Sequence, residues 1–138
     1  MEKEYDIIGI GNPLLDIIVN VEESILADLG LQKGAMHLIE SEQSQKILRS
    51  LEKHPKTYIS GGSAANTVSG ASLLGGNVFF SGVIGNDTYG NEYEEEMKKS
   101  GVVANLSRHT REQTGCAITL ITSDGERTFA TYLGAAQH

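Results

Sequence analysis

Lys56-Thr57-Tyr58-Ile59-Ser60-Gly61-Gly62-Ser63-Ala64-Ala65-Asn66 is the stretch on which the fold turns. Lys56–Ser60 reads as a brief strand that runs directly into two glycines. From Ala64 to Leu74 small residues dominate, with Val68, Leu73 and Leu74 spaced for a helix packed closely on a sheet. Strand, glycine turn and helix in that order make the repeating unit of an α/β protein. The glycines admit a second reading, because a backbone without Cβ atoms can approach a ligand. The start of the helix presents free N–H donors, and Asn66, a turn in, can point back to the same place. A tight turn with close helix packing explains the glycines and alanines but leaves Asn66 idle.

Outward from that unit the same grammar continues. Tyr5–Ile10 is an apolar run closed by Gly9 and Gly11, and Asp16–Val21 follows the Asn12-Pro13 turn signal; both predict strands. Ser24–Leu29 predicts a short helix stopped by Gly30, and Ala35–Glu40 a strand. Ser41 is placed as the N-cap of a helix whose inward face is Ile47, Leu48 and Leu51, ending near His54-Pro55. Downstream, Asn77–Ile84 predicts a strand and Asn91–Ser100 an acidic helix with Lys98 and Lys99 in its last turn and Gly101 as its stop. Gly115–Thr122 and Arg127–Leu133 predict a hairpin joined at Asp124-Gly125. The alternating middle implies a parallel sheet covered by helices. The segments at 16–21, 35–40 and 115–133 lack intervening helices and imply a separate, antiparallel piece.

Composition narrows the function classes. A formal net charge of −7 argues against a nucleic-acid surface or an anionic membrane face. No apolar run approaches the ~20 residues of a membrane span, and the charged start Met1-Glu2-Lys3-Glu4 is unlike a secretory leader, so a cytoplasmic address is expected. A single cysteine, Cys116, excludes a disulfide framework, and the histidines at 37, 54, 109 and 138 show no ligand spacing, so no metal site is expected. Gly9-Ile10-Gly11 lacks the third glycine and the helix start of a dinucleotide fingerprint, since Pro13 intervenes and position 14 is Leu. No Walker A sequence occurs.

Asn12 and Asp16 sit just past the first strand, where open α/β sheets bind ligands. A carboxylate there can accept from two neighbouring hydroxyls, or merely cap a turn beside Pro13. The Gly61–Asn66 cluster tips the balance: two polar groups at two strand ends favour a hydroxyl-rich ligand. Asp87, in Gly82-Val83-Ile84-Gly85-Asn86-Asp87-Thr88-Tyr89-Gly90, has the look of a catalytic loop residue, but bracing the turn into the next helix fits it better.

Three segments in register, Gly11-Asn12-Pro13-Leu14-Leu15-Asp16, Gly61–Asn66 and Gly82–Gly90, make the chain resemble the ribokinase-like (PfkB) carbohydrate kinase family. The first looks particularly like that of adenosine kinases. The resemblance implies a mainly parallel α/β sheet flanked by helices plus a small β-sheet lid, with residues 1–138 forming the N-terminal part of one such domain. It implies that Asn12 and Asp16 grip sugar hydroxyls, that Gly61, Gly62, Ser63 and Asn66 line the other side, and that Leu14 presses on the substrate's apolar face. Arg127 matches a family arginine that approaches the transferred phosphate; an ordinary hairpin arginine explains it equally well.

The resemblance also implies what is missing. Family members run to about twice this length, and their C-terminal half carries an Asp-Thr-x-Gly-Ala-Gly-Asp motif that supplies the base and the anion hole; nothing like it occurs here. The expected activity is therefore that of a parent kinase using ATP and Mg2+ to phosphorylate a primary hydroxyl of a sugar or nucleoside. The chain alone is expected to be inactive and to bind no cofactor, and its exposed sheet edge or lid invites self-association. The alternative is a naturally short, non-catalytic sugar-binding or interaction protein.

Overall fold

A computed structural model describes residues 4–138; the Met1-Glu2-Lys3 start, on which the expectation about a leader rests, lies outside the described residues. In chain order the elements are β1 (Ile7–Ile10), β2 (Leu14–Asn20), α1 (Glu23–Asp28), β3 (Met36–Leu38), α2 (Ser41–Ser50), β4 (Thr57–Gly61) and α3 (Ser63–Leu73). They continue as β5 (Val78–Gly85), α4 (Thr88–Lys99), β6 (Val103–His109), β7 (Gly115–Ile121), β8 (Arg127–Tyr132) and a closing 3-10 turn, Gly134–Gln137. These form two compact units. The first takes residues up to Leu15, Ile59–Gly115 and Leu133–His138, and the second takes Asp16–Tyr58 and Cys116–Tyr132.

In the first unit β1, β5 and β6 form a parallel sheet with β5 in the middle. Phe80 and Ile84 from β5, Val68 from α3, and Tyr93 and Met97 from α4 are buried in its core. Gly9 and Gly11 serve close packing: a Cβ at Gly9 would lie 2.7 Å from Val68 Cγ1, and one at Gly11 would lie 2.7 Å from the Ala64 Cβ. The glycines that mimic a dinucleotide fingerprint thus let α3 press onto β1.

β6 was not anticipated. Its run Val103-Ala104-Asn105-Leu106-Ser107-Arg108-His109 is exposed or half-buried throughout, as an edge strand is, so it carries no apolar block to betray it. At the other edge, Ile8 and Ile10 on β1 are 63% and 79% exposed. A parallel sheet is normally covered on both faces, so isoleucines left open along its edge put apolar surface in contact with water. Replacing both with lysine is expected to suppress concentration-dependent self-association of the purified chain, measured by sedimentation velocity, with little loss of thermal stability.

The second unit is built on a sheet of order β3-β8-β7-β2-β4, with β4 running on into the first unit. Two expectations are corrected here. The small sheet is not purely antiparallel: β7 and β8 form the antiparallel hairpin, but β3 runs parallel to β8 with His37 opposite Ala130. In addition, β4 belongs to this five-stranded sheet and not beside β1, although a strand followed by a helix reads locally as a parallel-sheet unit. Ile17, Val19, Ile118, Leu120 and Ala130 are buried, as are Leu26 of α1 and Ile47 of α2. Ser41 is the first helical residue of α2 and not its cap; Glu40 holds that position without a side-chain bond. Lys33 reaches Glu23 at 3.0 Å and Asp124 at 2.7 Å, tying the hairpin tip to α1.

Candidate functional site

The first unit carries a cleft of about 440 Å³ whose lining includes Asn12, Leu14, Gly62 and Ser63, with Ala136 and Gln137. It exists because the chain must leave β1 and cross back over the sheet. Gly82 makes room for that crossing: a Cβ there would lie 2.6 Å from Pro13 Cγ and 2.7 Å from the Gly11 carbonyl. Opposite, β4 ends and α3 begins through Gly62, whose φ of +100° favours glycine and whose Cβ would lie 2.4 Å from the Asn12 carbonyl oxygen. Gly62 also holds the N-cap position of α3 with no side-chain cap, so the first-turn N–H groups of the helix remain for a ligand or water.

Asn12 donates its Nδ2 hydrogen to the Ala136 carbonyl. That bond settles which way the amide faces and leaves Oδ1 as an acceptor. The 3-10 turn that supplies Ala136 is itself anchored, Ala135 N–H donating to the Gln113 carbonyl at 2.8 Å. Ala136 and Gln137 were not anticipated as part of the site. The signal was present: Gly134-Ala135-Ala136 after a strand repeats the small-residue pattern of Gly62–Ala65.

Gly61 is buried and does not line the cleft, and Asn66 is exposed and also lies outside its lining. Asp16 and Arg127 belong to the second unit. There, with Ile18, Thr119, Ile121 and Phe129, they line a separate cavity of about 290 Å³. Leu14 and Asp16 are two apart on β2 and so share one face of that strand. Asp16 is half-buried and has no hydrogen-bond or ion-pair partner among the described residues; burial pushes its carboxyl pKa above the ordinary aspartate value. A half-buried carboxylate with no protein partner among the described residues has acceptor capacity that hydroxyl groups can use.

Asp87 is different, because its acceptors are filled. Oδ1 accepts from Gly90 N–H at 2.8 Å and from the Thr114 hydroxyl at 2.6 Å, and Oδ2 accepts from Thr114 N–H at 2.9 Å. Thr114 Oγ1 in turn accepts from Gly85 N–H at 2.9 Å. Asp87 caps α4 and knots it to the chain before β7; it braces the turn, as its neighbours in the sequence suggested.

A family model described as pfkB family carbohydrate kinase matches residues 35–138. The adenosine kinase of Schizophyllum commune is 30% identical over 137 residues, covering 98% of this chain and 40% of that protein. Among solved structures, apo adenosine kinase from Trypanosoma brucei brucei superposes with a TM-score of 0.87 at 31% identity, over 99% of this chain and 43% of that one. A probable sugar kinase from Rhizobium etli gives 0.77 at 32% identity, over 98% and 41%. The chain thus spans about two fifths of the length of these relatives.

Proposed function

Because the chain belongs to the pfkB family of carbohydrate kinases, we propose that it is the acceptor-binding, N-terminal portion of an ATP-dependent kinase that phosphorylates a primary hydroxyl of a nucleoside or sugar. Adenosine is the first acceptor to try, since the named adenosine kinases match along nearly the whole chain. The observation that carries the reading is the convergence of Asn12, Leu14, Gly62 and Ser63 on one cleft. Asn12 Oδ1 accepts a sugar hydroxyl, the backbone at Gly62 and Ser63 donates, and Leu14 covers the apolar face. Within the second unit Asp16 is the candidate acceptor for vicinal hydroxyls and Arg127 the candidate phosphate contact.

Mg-ATP, which the family implies, finds no matching set of groups in these residues. No three acidic, histidine or cysteine side chains converge among the described residues, and Arg127 is the only Lys or Arg lining either cavity. On this reading neither cavity supplies the nucleotide site or the base. Positioning and charge neutralisation of phosphates are most of phosphoryl-transfer catalysis, so the chain alone should not perform it.

The second reading, a self-sufficient short binding protein, is disfavoured by the open isoleucines of β1. Calorimetric titration with adenosine, followed by incubation with Mg-ATP and chromatography for AMP, tests both parts. Saturable adenosine binding without AMP formation is the expected result. AMP formed in proportion to the chain overturns the partial-kinase reading, and failure to bind either adenosine or ribose overturns the acceptor-site reading.

A further inference from the structure

We propose that Tyr93 is a positioning residue for the acceptor cleft: its hydroxyl fixes the peptide plane between Gly61 and Gly62. The inference rests on the acceptor-site reading for its consequence, but not for its geometry. Tyr93 lies on α4 and is fully buried, and its hydroxyl donates to the Gly61 carbonyl oxygen at 2.9 Å. The site is not hydrophobic filler alone, because a buried hydroxyl needs a partner and this one selects a backbone atom 32 residues away.

The choice of that atom matters because of what flanks it. A peptide unit is planar, and in the trans form its C=O and N–H point in opposite directions. Anchoring the Gly61 carbonyl therefore aims the Gly62 N–H. Both residues of this peptide are glycine, so no Cβ resists a rotation of the plane, and such flips are sterically cheap. Gly62 already sits at φ +100° against the Asn12 carbonyl, where the wall of the cleft is set. The two glycines that let the backbone approach a ligand also leave it free to turn away, and the tyrosine hydroxyl holds it. Helix α4 is a firm base for this, because Asp87 caps its first turn and Tyr93 and Met97 are buried beneath it.

The test compares Tyr93→Phe with Met97→Val, which disturbs the same helix one turn on and leaves the hydroxyl in place. Amide chemical shifts and line widths, read residue by residue by NMR on the 138-residue chain, measure the geometry, and adenosine titration measures its consequence. In Tyr93→Phe the Gly62 and Ser63 amide resonances are expected to move and broaden as the peptide plane samples a second orientation, beyond any shift shared with the β5 core. Adenosine affinity should fall about three- to tenfold, the scale of one hydrogen bond. Met97→Val should shift core amides without singling out Gly62 and should keep its affinity. If Tyr93→Phe alters all amides alike, or leaves Gly62 as in the parent chain, the proposal fails. Should the parent chain not bind adenosine at all, the acceptor-site reading falls, while the pattern of amide shifts still decides the role of Tyr93.

Discussion

Asp16→Asn is expected to weaken adenosine binding by one to two orders of magnitude and, at the same time, to raise the melting temperature of the ligand-free chain. Both effects come from one fact: Asp16 is a half-buried carboxylate without a partner among the described residues. Hydrogen bonds from hydroxyls to an ionised group contribute about 1.5–3 kcal/mol each, and about 1.4 kcal/mol is a factor of ten in affinity. An amide keeps the shape and one acceptor oxygen but loses the charge. In the free chain that charge stabilises nothing, since desolvation opposes it and no cation or N–H offsets the cost. Removing it therefore helps folding while harming binding. Calorimetric titration and differential scanning calorimetry on the two proteins check the pair of effects. Unchanged affinity would remove Asp16 from the binding site, and a lowered melting temperature would mean that its carboxylate supports the fold.

The pH dependence follows with a definite sign. Burial raises the Asp16 pKa above its ordinary value of 3.8, so the folded chain holds this proton more tightly than the unfolded one. Its contribution to stability is present below 3.8 and is lost as the pH rises through the raised value. Affinity for a hydroxyl-bearing ligand runs the other way, falling as acid protonates the acceptor. Stability and binding should thus respond in opposite senses as the pH passes through the raised value, and Asp16→Asn should flatten both of these contributions.

What could be read beforehand, and what could not, divides along physical lines. Gly62 could be read as a close approach because glycine is the residue without a Cβ, and the Asn12 carbonyl fills that space. The similar contacts of Gly9, Gly11 and Gly82 with Val68, Ala64 and Pro13 could not, because those glycines look locally like strand ends and turn residues. Asp87 could be read as a brace because turn chemistry is local. β6 could not, since an edge strand with Asn105, Ser107 and Arg108 on it has no buried face to enforce an apolar pattern. The placement of β4 was hidden for a different reason. Which sheet a strand joins is decided by pairing across long sequence separations, and Thr57–Gly61 has the same local appearance in either one. For Ala136 the small-residue pattern could mark a close approach but not the bond itself, because it enters the cleft through a backbone carbonyl, an atom every residue possesses.

Asp87→Ala is expected to cost about 3 kcal/mol of folding stability, the sum of lost charge-assisted bonds and of buried donors left wanting. Its two oxygens hold three hydrogen bonds, to Gly90 N–H, Thr114 N–H and the Thr114 hydroxyl, and Thr114 and Gly90 are both buried. Little can move in to replace them. A Cβ on Gly90 would lie 2.5 Å from the Gly85 carbonyl, and one on Gly85 would lie 2.4 Å from the Thr114 nitrogen, so the backbone around the carboxylate is already at contact. Against a total stability of roughly 5–15 kcal/mol for a native domain, such a loss is large. Urea denaturation should show the midpoint falling steeply for Asp87→Ala and about half as far for Asp87→Asn, which keeps one acceptor. If Asp87 served catalysis instead, the alanine variant would retain its stability, because a catalytic carboxylate keeps its oxygens for the substrate. The three internal bonds decide against that, and they also explain why adenosine affinity, measured under conditions where the variant remains folded, should stay close to that of the parent chain.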